Sequence, residues 1–382
     1  MAFLRNDAVN RVNLHSGIQA LAQGAGAVFF FVVLLRAGVS APVALVAQAA
    51  IVAGRFVLRP AILPLAKRWG LKPLLICGAL GYALAYPVLG AVRGVDATLV
   101  TLCIVVSLAE VFYWVSYNAY FAAIGDAEHR GHQVSAREAL VALASVAAPL
   151  LGAWGLVTFG PRWTFAVVGL VQASSALPLL GAPNVAIARS APGTLRAARL
   201  GMGLSAADGW FDASYVFVWQ IALYVALGQS VSAYGGAMAV AGLVGAACGL
   251  FVGRHVDAGH GRRAVLVGHA ALAIVFLARA ASVGSPWLAV AANALGGLAL
   301  PLLSPVIGGA AYNLAKGSPC PLRFKMATEG GWDVGCLCAC LVAAAIAASG
   351  ASLAFAILLA LPGVVAQALL LWRYYPAVAA RR

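Results

Sequence analysis

Apolar residues run along the chain in long stretches separated by short polar ones, near residues 16–36, 43–65, 73–92, 97–122, 137–159, 162–182, 203–227, 231–252, 264–282, 286–312, 327–349 and 351–372. A helix rising 1.5 Å per residue needs roughly 20 residues to cross a hydrocarbon core of about 30 Å. The pattern therefore predicts an all-α membrane protein of twelve transmembrane helices. This is the arithmetic of a helical bundle rather than a porin.

Composition sharpens the class. With 63% hydrophobic and 9% charged residues in 382, the chain is too apolar for a water-soluble domain, so lipid is its solvent. A formal net charge of +14 would point to nucleic acid in a soluble protein, but here the cations follow topology. Arg5, Arg11, Lys67, Arg68, Lys72, Arg262 and Arg263 lie in segments on one side of the membrane, whereas Arg36, Arg93, Arg162 and, at a helix end, Arg279 lie on the other. By the positive-inside rule both termini are expected in the cytoplasm, and the expected location is a bacterial inner membrane. The polar start, with Asn6, Asp7 and Asn10, does not read as a cleaved signal peptide. Six of the seven cysteines fall in apolar spans, so no disulfide framework is implied.

The two halves share loop chemistry. Gly70, followed by Lys72, and Gly261, followed by Arg262 and Arg263, stand 191 residues apart (261 less 70), and the same offset relates Glu138 to Glu329. Each loop turns at a glycine and places cations at headgroup level. The run from Gly253 to Arg263, with Asp257, Gly261, Arg262 and Arg263, resembles the loop signature of the major facilitator superfamily. It has one residue more than the signature between the aspartate and the second glycine. The first-half loop is a degenerate copy, with Lys67 at the acidic position and Leu63 at the first glycine.

The resemblance implies two six-helix bundles, residues 1–183 and 202–382, joined by a flexible cytoplasmic linker at 184–201 that carries Pro192, Gly193 and three arginines. It also implies a conformational latch made by Asp257, Arg262 and Arg263, with Arg68, Gly70 and Lys72 keeping its cationic half. The alternative for these charges is topology-setting alone.

Ionised groups inside lipid cost about 2.5 kcal/mol or more, so each is a functional candidate. Glu110 lies mid-span in the fourth helix, followed on one face by Trp114, Tyr117 and Asn118. The seventh helix repeats this with Asp208, Asp212, Tyr215 and Trp219. In the superfamily helices 1, 4, 7 and 10 line the central cavity. The resemblance thus sets Glu110 and Asp212 facing each other, with Gln19 and Gln23 from helix 1 and Asn293 and Asn313 from helix 10. Carboxyls lining such a cavity can take up a proton on one side and release it on the other. The alternatives are that Glu110 only pairs with Arg55 of the second helix, and that Asp208 is near enough to the cytoplasmic end to be solvated. Arg55 and Arg59, one turn apart, either neutralise Glu110 and Glu138 or bind an anionic substrate; Pro60 and Pro64 distort the helix beyond them. Glu138, Glu329 and Asp333 read as helix N-terminal caps. The Cys336, Cys338 and Cys340 run reads as packing, because helical geometry sets Cys338 opposite the other two.

Ala144, Ala148, Pro149, Gly152 and Ala153 in the fifth helix resemble a degenerate form of the glycine-proline pattern of proton-coupled efflux antiporters. Glu110 stands where those exporters carry an arginine. Together these features predict a proton-coupled secondary transporter working by alternating access, with efflux antiport favoured over import of a neutral or anionic metabolite. No phosphate-binding loop supports nucleotide-driven transport. A non-transporting membrane protein of the same fold, a sensor or lipid handler, is the second reading. An embedded enzyme is the third, opposed by six histidines that lie mostly near loops and form no triad or metal cluster. The expected partners are a small-molecule substrate, protons and the lipid bilayer, with no nucleic acid; the chain is expected to act as a monomer without a cofactor.

Overall fold

The computed structural model describes residues 6–124, 130–187, 190–252 and 261–379. The described residues form helices and no strands. They group into twelve segments: α1 Asp7–Arg36, α2 Ala41–Trp69, α3 Leu71–Ala91, α4 Ala97–Ile124, α5 Arg130–Thr158, α6 Gly160–Leu180, α7 194–226, α8 Val231–Val252, α9 Gly261–Ala281, α10 Pro286–Lys316, α11 Pro321–Ala348 and α12 353–379. Ten of them are long and apolar enough to cross a membrane on length and composition alone. Large apolar side chains on their outer faces, such as Leu84, Val100, Ile104, Trp163, Leu170, Val267 and Trp287, are exposed, as a bundle dissolved in lipid requires.

By contact the chain divides into two units. One comprises residues 1–39 and 53–191; the other comprises residues 40–52 and 192–382, so the first half of α2 packs with the second unit. There Ala49 and Val52 share an apolar cluster with Ala213, Cys336, Ala339 and Cys340. Cys336 and Cys340 are buried while Cys338 is exposed, the alternation expected of thiols used for packing.

Small residues set the closest approaches. In the first unit a Cβ at Gly78 would come within 2.5 Å of the Tyr113 backbone nitrogen, so α3 and α4 touch backbone to backbone. In the second, a side chain at Gly209 or Gly335 would run into the backbone of the facing helix, Trp332 for the one and Ala206 for the other. This binds α7 tightly to α11.

Several helices are interrupted. A 3-10 turn at Ala27–Phe29 follows Gly26 in α1. Another at Arg59–Ala61, with Pro60 in it, breaks α2. In α7 the α-helix ends at Asp212 and a π-helical segment runs over Ala213–Val218 before the α-helix resumes at Trp219.

Candidate functional site

In the first unit Arg55 Nη1 donates to Glu110 Oε2 at 3.0 Å, with both side chains largely buried. This is the pairing given above as the alternative to a cavity-facing carboxylate. The aromatic residues expected beside Glu110 are engaged as well. Trp114 Nε1 donates to the Tyr82 hydroxyl at 3.0 Å. Tyr117 hydroxyl lies 2.8 Å from Ser16 Oγ, which itself donates to Val12 O, and receives Arg137 Nη1 at 3.3 Å. Gln19 Oε1 accepts from Gln172 Nε2, and Gln23 is half-buried on the same helix.

At the heart of this network sits His15, fully buried. Its Nδ1 lies 2.7 Å from Ser175 O and its Nε2 2.9 Å from Tyr113 Oη. A carbonyl can only accept and a hydroxyl can donate, so a neutral ring with its proton on Nδ1 satisfies both contacts.

The second unit is built differently. Asp208 Oδ1 accepts from Gln367 Nε2 at 3.1 Å, and Asp212 Oδ2 accepts from Trp332 Nε1 at 3.0 Å. Among the described residues neither carboxyl makes an ion pair with a cation. Asp208 also lines a cavity of about 40 Å³ together with Ser205, Phe324, Lys325, Thr328 and Gln367, room for a few waters. Behind Asp208, Gln367 donates a second bond to Leu204 O at 3.2 Å, and its Oε1 lies 3.1 Å from His269 Nε2. His269 Nδ1 is 2.8 Å from Val265 O.

Further along α7, Tyr215 and Trp219 do not present free rings. Arg279, only 3% exposed, lies over both, 4.2 Å from the Tyr215 ring centroid and 4.7 Å from that of Trp219. Its Nη1 donates to Tyr215 O at 2.7 Å. That carbonyl belongs to the π-helical segment, where the altered ladder leaves a backbone acceptor for an outside donor. Gly296 makes room, since a Cβ there would come within 2.5 Å of Arg279 Nη2, and Gly296 O accepts from the Tyr215 hydroxyl at 2.8 Å. Trp219 Nε1 donates to Asn293 Oδ1 at 2.9 Å, and Asn293 Nδ2 donates to Ala237 O at 2.9 Å. So the residues expected on a substrate-facing surface of α7 and α10 are joined to one another, and Arg279, read from sequence as a cation at a helix end, is buried among them.

A family model described as Major Facilitator Superfamily matches residues 16–200. Solved structures extend the likeness over the whole chain. The human organic anion transporter MFSD10 (TETRAN) is 16% identical, with a TM-score of 0.69 over 96% of this chain and 99% of that one. The POT family transporter PepTSo is 12% identical, with a TM-score of 0.70 over 98% of each chain. A POT family transporter in complex with 5-aminolevulinic acid is 9% identical, with a TM-score of 0.71 over 98% of this chain and 96% of that one. The first half of the chain thus matches the major facilitator superfamily model, and the whole chain has the fold of these solved transporters. Comparison with curated proteins gives no matching sequence.

Cations of two loops reach carbonyls on α6 and α12. In the first unit Gly70 takes a positive φ of 81° and packs on Asn184, whose Nδ2 donates to Trp69 O at 2.7 Å. Lys72 Nζ donates to Leu180 O at 3.3 Å and Ala182 O at 2.9 Å, closing the end of α6. Arg68 is exposed. In the second unit Arg262 Nε donates to Trp372 O at 3.3 Å, with the guanidinium 4.7 Å from the Trp372 ring centroid on α12. Arg263 is exposed, and Asp257 lies outside the described residues.

Six residues of these networks were not singled out from sequence: His15, Tyr113, Gln172, Arg279, His269 and Gln367. The signal for three of them, Gln172, His269 and Gln367, was present, because a histidine or glutamine inside an apolar span needs a partner as a carboxylate does. His15 and His269 in particular are buried helix residues, not loop residues. Among the described residues no group of three His, Cys, Asp or Glu side chains is placed to hold a metal ion.

Proposed function

We propose that this protein is a proton-coupled secondary transporter in which the α7 carboxyls Asp208 and Asp212, rather than Glu110, exchange the coupling proton. One observation carries this reading. Glu110 is matched by Arg55, whereas Asp208 and Asp212 sit within the membrane with only neutral donors among the described residues. A carboxylate so placed has no cation in contact with it, and protonation is the direct way to neutralise it. The cavity at Asp208 gives water a route to it.

The charge asymmetry supports a bacterial inner-membrane protein with both termini in the cytoplasm and the Asp208 cavity toward that side. The close packing of α1 on α5 supports antiport through the resemblance of α5 to efflux exchangers: a Cβ at Gly24 would lie 2.7 Å from that of Ala148. The cargo is a small organic molecule, and the protein works as a monomer. Arg279 over Tyr215 and Trp219 speaks against an organic cation stacking on those two rings.

The test uses purified protein in liposomes loaded with a pH-sensitive dye, challenged with a panel of small metabolites and drugs chosen by thermal shift. Substrate-dependent proton movement that Asp212→Asn removes, and that the neutral pair Arg55→Gln with Glu110→Gln retains, is the expected result. Proton movement lost only in the neutral-pair variant overturns the assignment.

A further inference from the structure

Where α9 begins and α12 ends, the second unit gathers cations that its own helices do not neutralise. Arg262 Nε donates to Trp372 O at 3.3 Å, and its guanidinium lies 4.7 Å from the centroid of that indole ring. The contact fixes the planar group on the ring and leaves both Nη groups without an acceptor among the described residues. Arg263 and Arg373 are the chain neighbours of the two residues in contact, and all three arginines are exposed. Among the described residues Arg263 and Arg373 make no hydrogen bond or ion pair.

The helix ends that carry these arginines are firmly joined. A Cβ at Gly261 would run into the Tyr375 ring, so the first turn of α9 rests on α12. The Tyr375 hydroxyl donates to Val306 O on α10 at 2.8 Å, and Val265 and Leu371 share one apolar cluster.

The sequence supplies almost no counter-charge. No Asp or Glu occurs between Asp257 and Glu329 or after Asp333, so α9, α10 and α12 carry none. Asp257, outside the described residues, is one carboxylate against three arginines, and Arg381 and Arg382 follow them in the sequence. Directly beyond the cations the surface turns apolar. Leu266 and Val267 stand one turn after Arg262 and Arg263 on α9, Leu369 and Val365 stand one and two turns before Arg373 on α12, and all four are exposed. Setting topology needs cations on one side of the membrane. It needs neither a guanidinium fixed on an indole nor a cation cluster that continues into two exposed apolar strips.

We propose that this end of α9 and α12 binds an anionic phospholipid, with its phosphate on Arg262, Arg263 and Arg373 and its acyl chains along the strips of Leu266, Val267, Leu369 and Val365. Such a lipid ties α9 to α12 and is a partner of the second unit whatever ion drives transport. A free phosphate would meet the cations but leave the strips to other lipids. A zwitterionic lipid fits the strips but brings its own cation to the arginines. Each arginine strengthens attraction to an anionic headgroup about fivefold, and salt weakens it because the cluster is exposed.

The experiment is native mass spectrometry of the purified full-length protein in non-ionic detergent, supplied with equal amounts of dioleoyl phosphatidylglycerol and dioleoyl phosphatidylcholine. The two lipids share their chains, so the headgroup alone decides between them. The wild-type protein should retain phosphatidylglycerol about tenfold or more over phosphatidylcholine. Arg263→Gln combined with Arg373→Gln, which breaks no hydrogen bond among the described residues, should lower that preference about fivefold or more. Adding Arg262→Gln should lower it again. Arg162→Gln, which removes an exposed cation at the start of α6, should leave it unchanged. Phosphatidylglycerol should also raise the unfolding temperature of the wild-type protein, and inorganic phosphate at the same concentration should not. Equal retention of the two lipids overturns the proposal. So does an equal loss of preference in Arg162→Gln, which marks diffuse attraction to a basic chain, or an equal rise with inorganic phosphate, which marks an ion site.

Discussion

The two units treat buried charge in opposite ways. In the first, Arg55 meets Glu110 directly and His15 lies between a carbonyl and a hydroxyl that can donate to it. In the second, the carboxyls of Asp208 and Asp212 are held by an amide and an indole, and Arg279 is held by a carbonyl and two ring faces. Opposite charges in direct contact need no proton to be stable in lipid, whereas charges held by dipoles remain open to neutralisation. The first unit thus holds a closed ion pair where the second holds carboxyls bonded only to neutral donors among the described residues.

The largest expected break in this contrast comes from the first unit. Arg55→Met strands the Glu110 carboxylate and should destabilise the protein by about 3 kcal/mol or more, read as a lowered unfolding temperature in detergent. Arg55→Met combined with Glu110→Leu should recover most of that loss, since a well-packed apolar pair replaces the ion pair. Asp212→Asn, by contrast, removes no counter-ion's partner and should leave the unfolding temperature nearly unchanged. If Asp212→Asn destabilises as much as Arg55→Met, the units do not differ as described.

A smaller effect is expected at Arg279. Arg279→Ala loses the bond to Tyr215 O and the cover over two rings, for about 2 kcal/mol, and Arg279→Lys should recover only part of it, because an ammonium lacks the planar stacking surface. Tryptophan fluorescence should report the change at Trp219. Full recovery by lysine would show that charge alone matters there. The smallest effect is at the bracing loop: Lys72→Ala frees Leu180 O and Ala182 O at the end of α6 and should cost about 0.5 kcal/mol, detectable as faster hydrogen exchange confined to that end.

Much of this contrast was visible in the sequence only as isolated residues. Twelve spans follow from hydropathy because lipid tolerates little else, and Lys72 and Arg262 stand out as cations in the loops that follow the second and eighth spans. Glu110, Asp208 and Asp212 stand out because carboxyls in apolar spans are rare. Their partners do not, because partnership is set by packing between distant segments: Gln367 reaches Asp208 across 159 positions, and His15 reaches Ser175 across 160. Arg279 was read as an end-of-helix cation because position along the chain shows depth but not which way a side chain turns. The π-helical segment at Ala213–Val218, which supplies its carbonyl, has no sequence signature in the pattern of apolar residues.

The most direct measurement compares gradient-driven transport with substrate exchange at zero gradient in one liposome preparation, using the compound that gives the largest thermal shift. Asp212→Asn should lower gradient-driven transport about tenfold or more while exchange continues, and the paired variant Arg55→Gln with Glu110→Gln should keep both. Gradient-driven transport that persists in Asp212→Asn and disappears in the paired variant would place the coupling proton in the first unit and contradict the account.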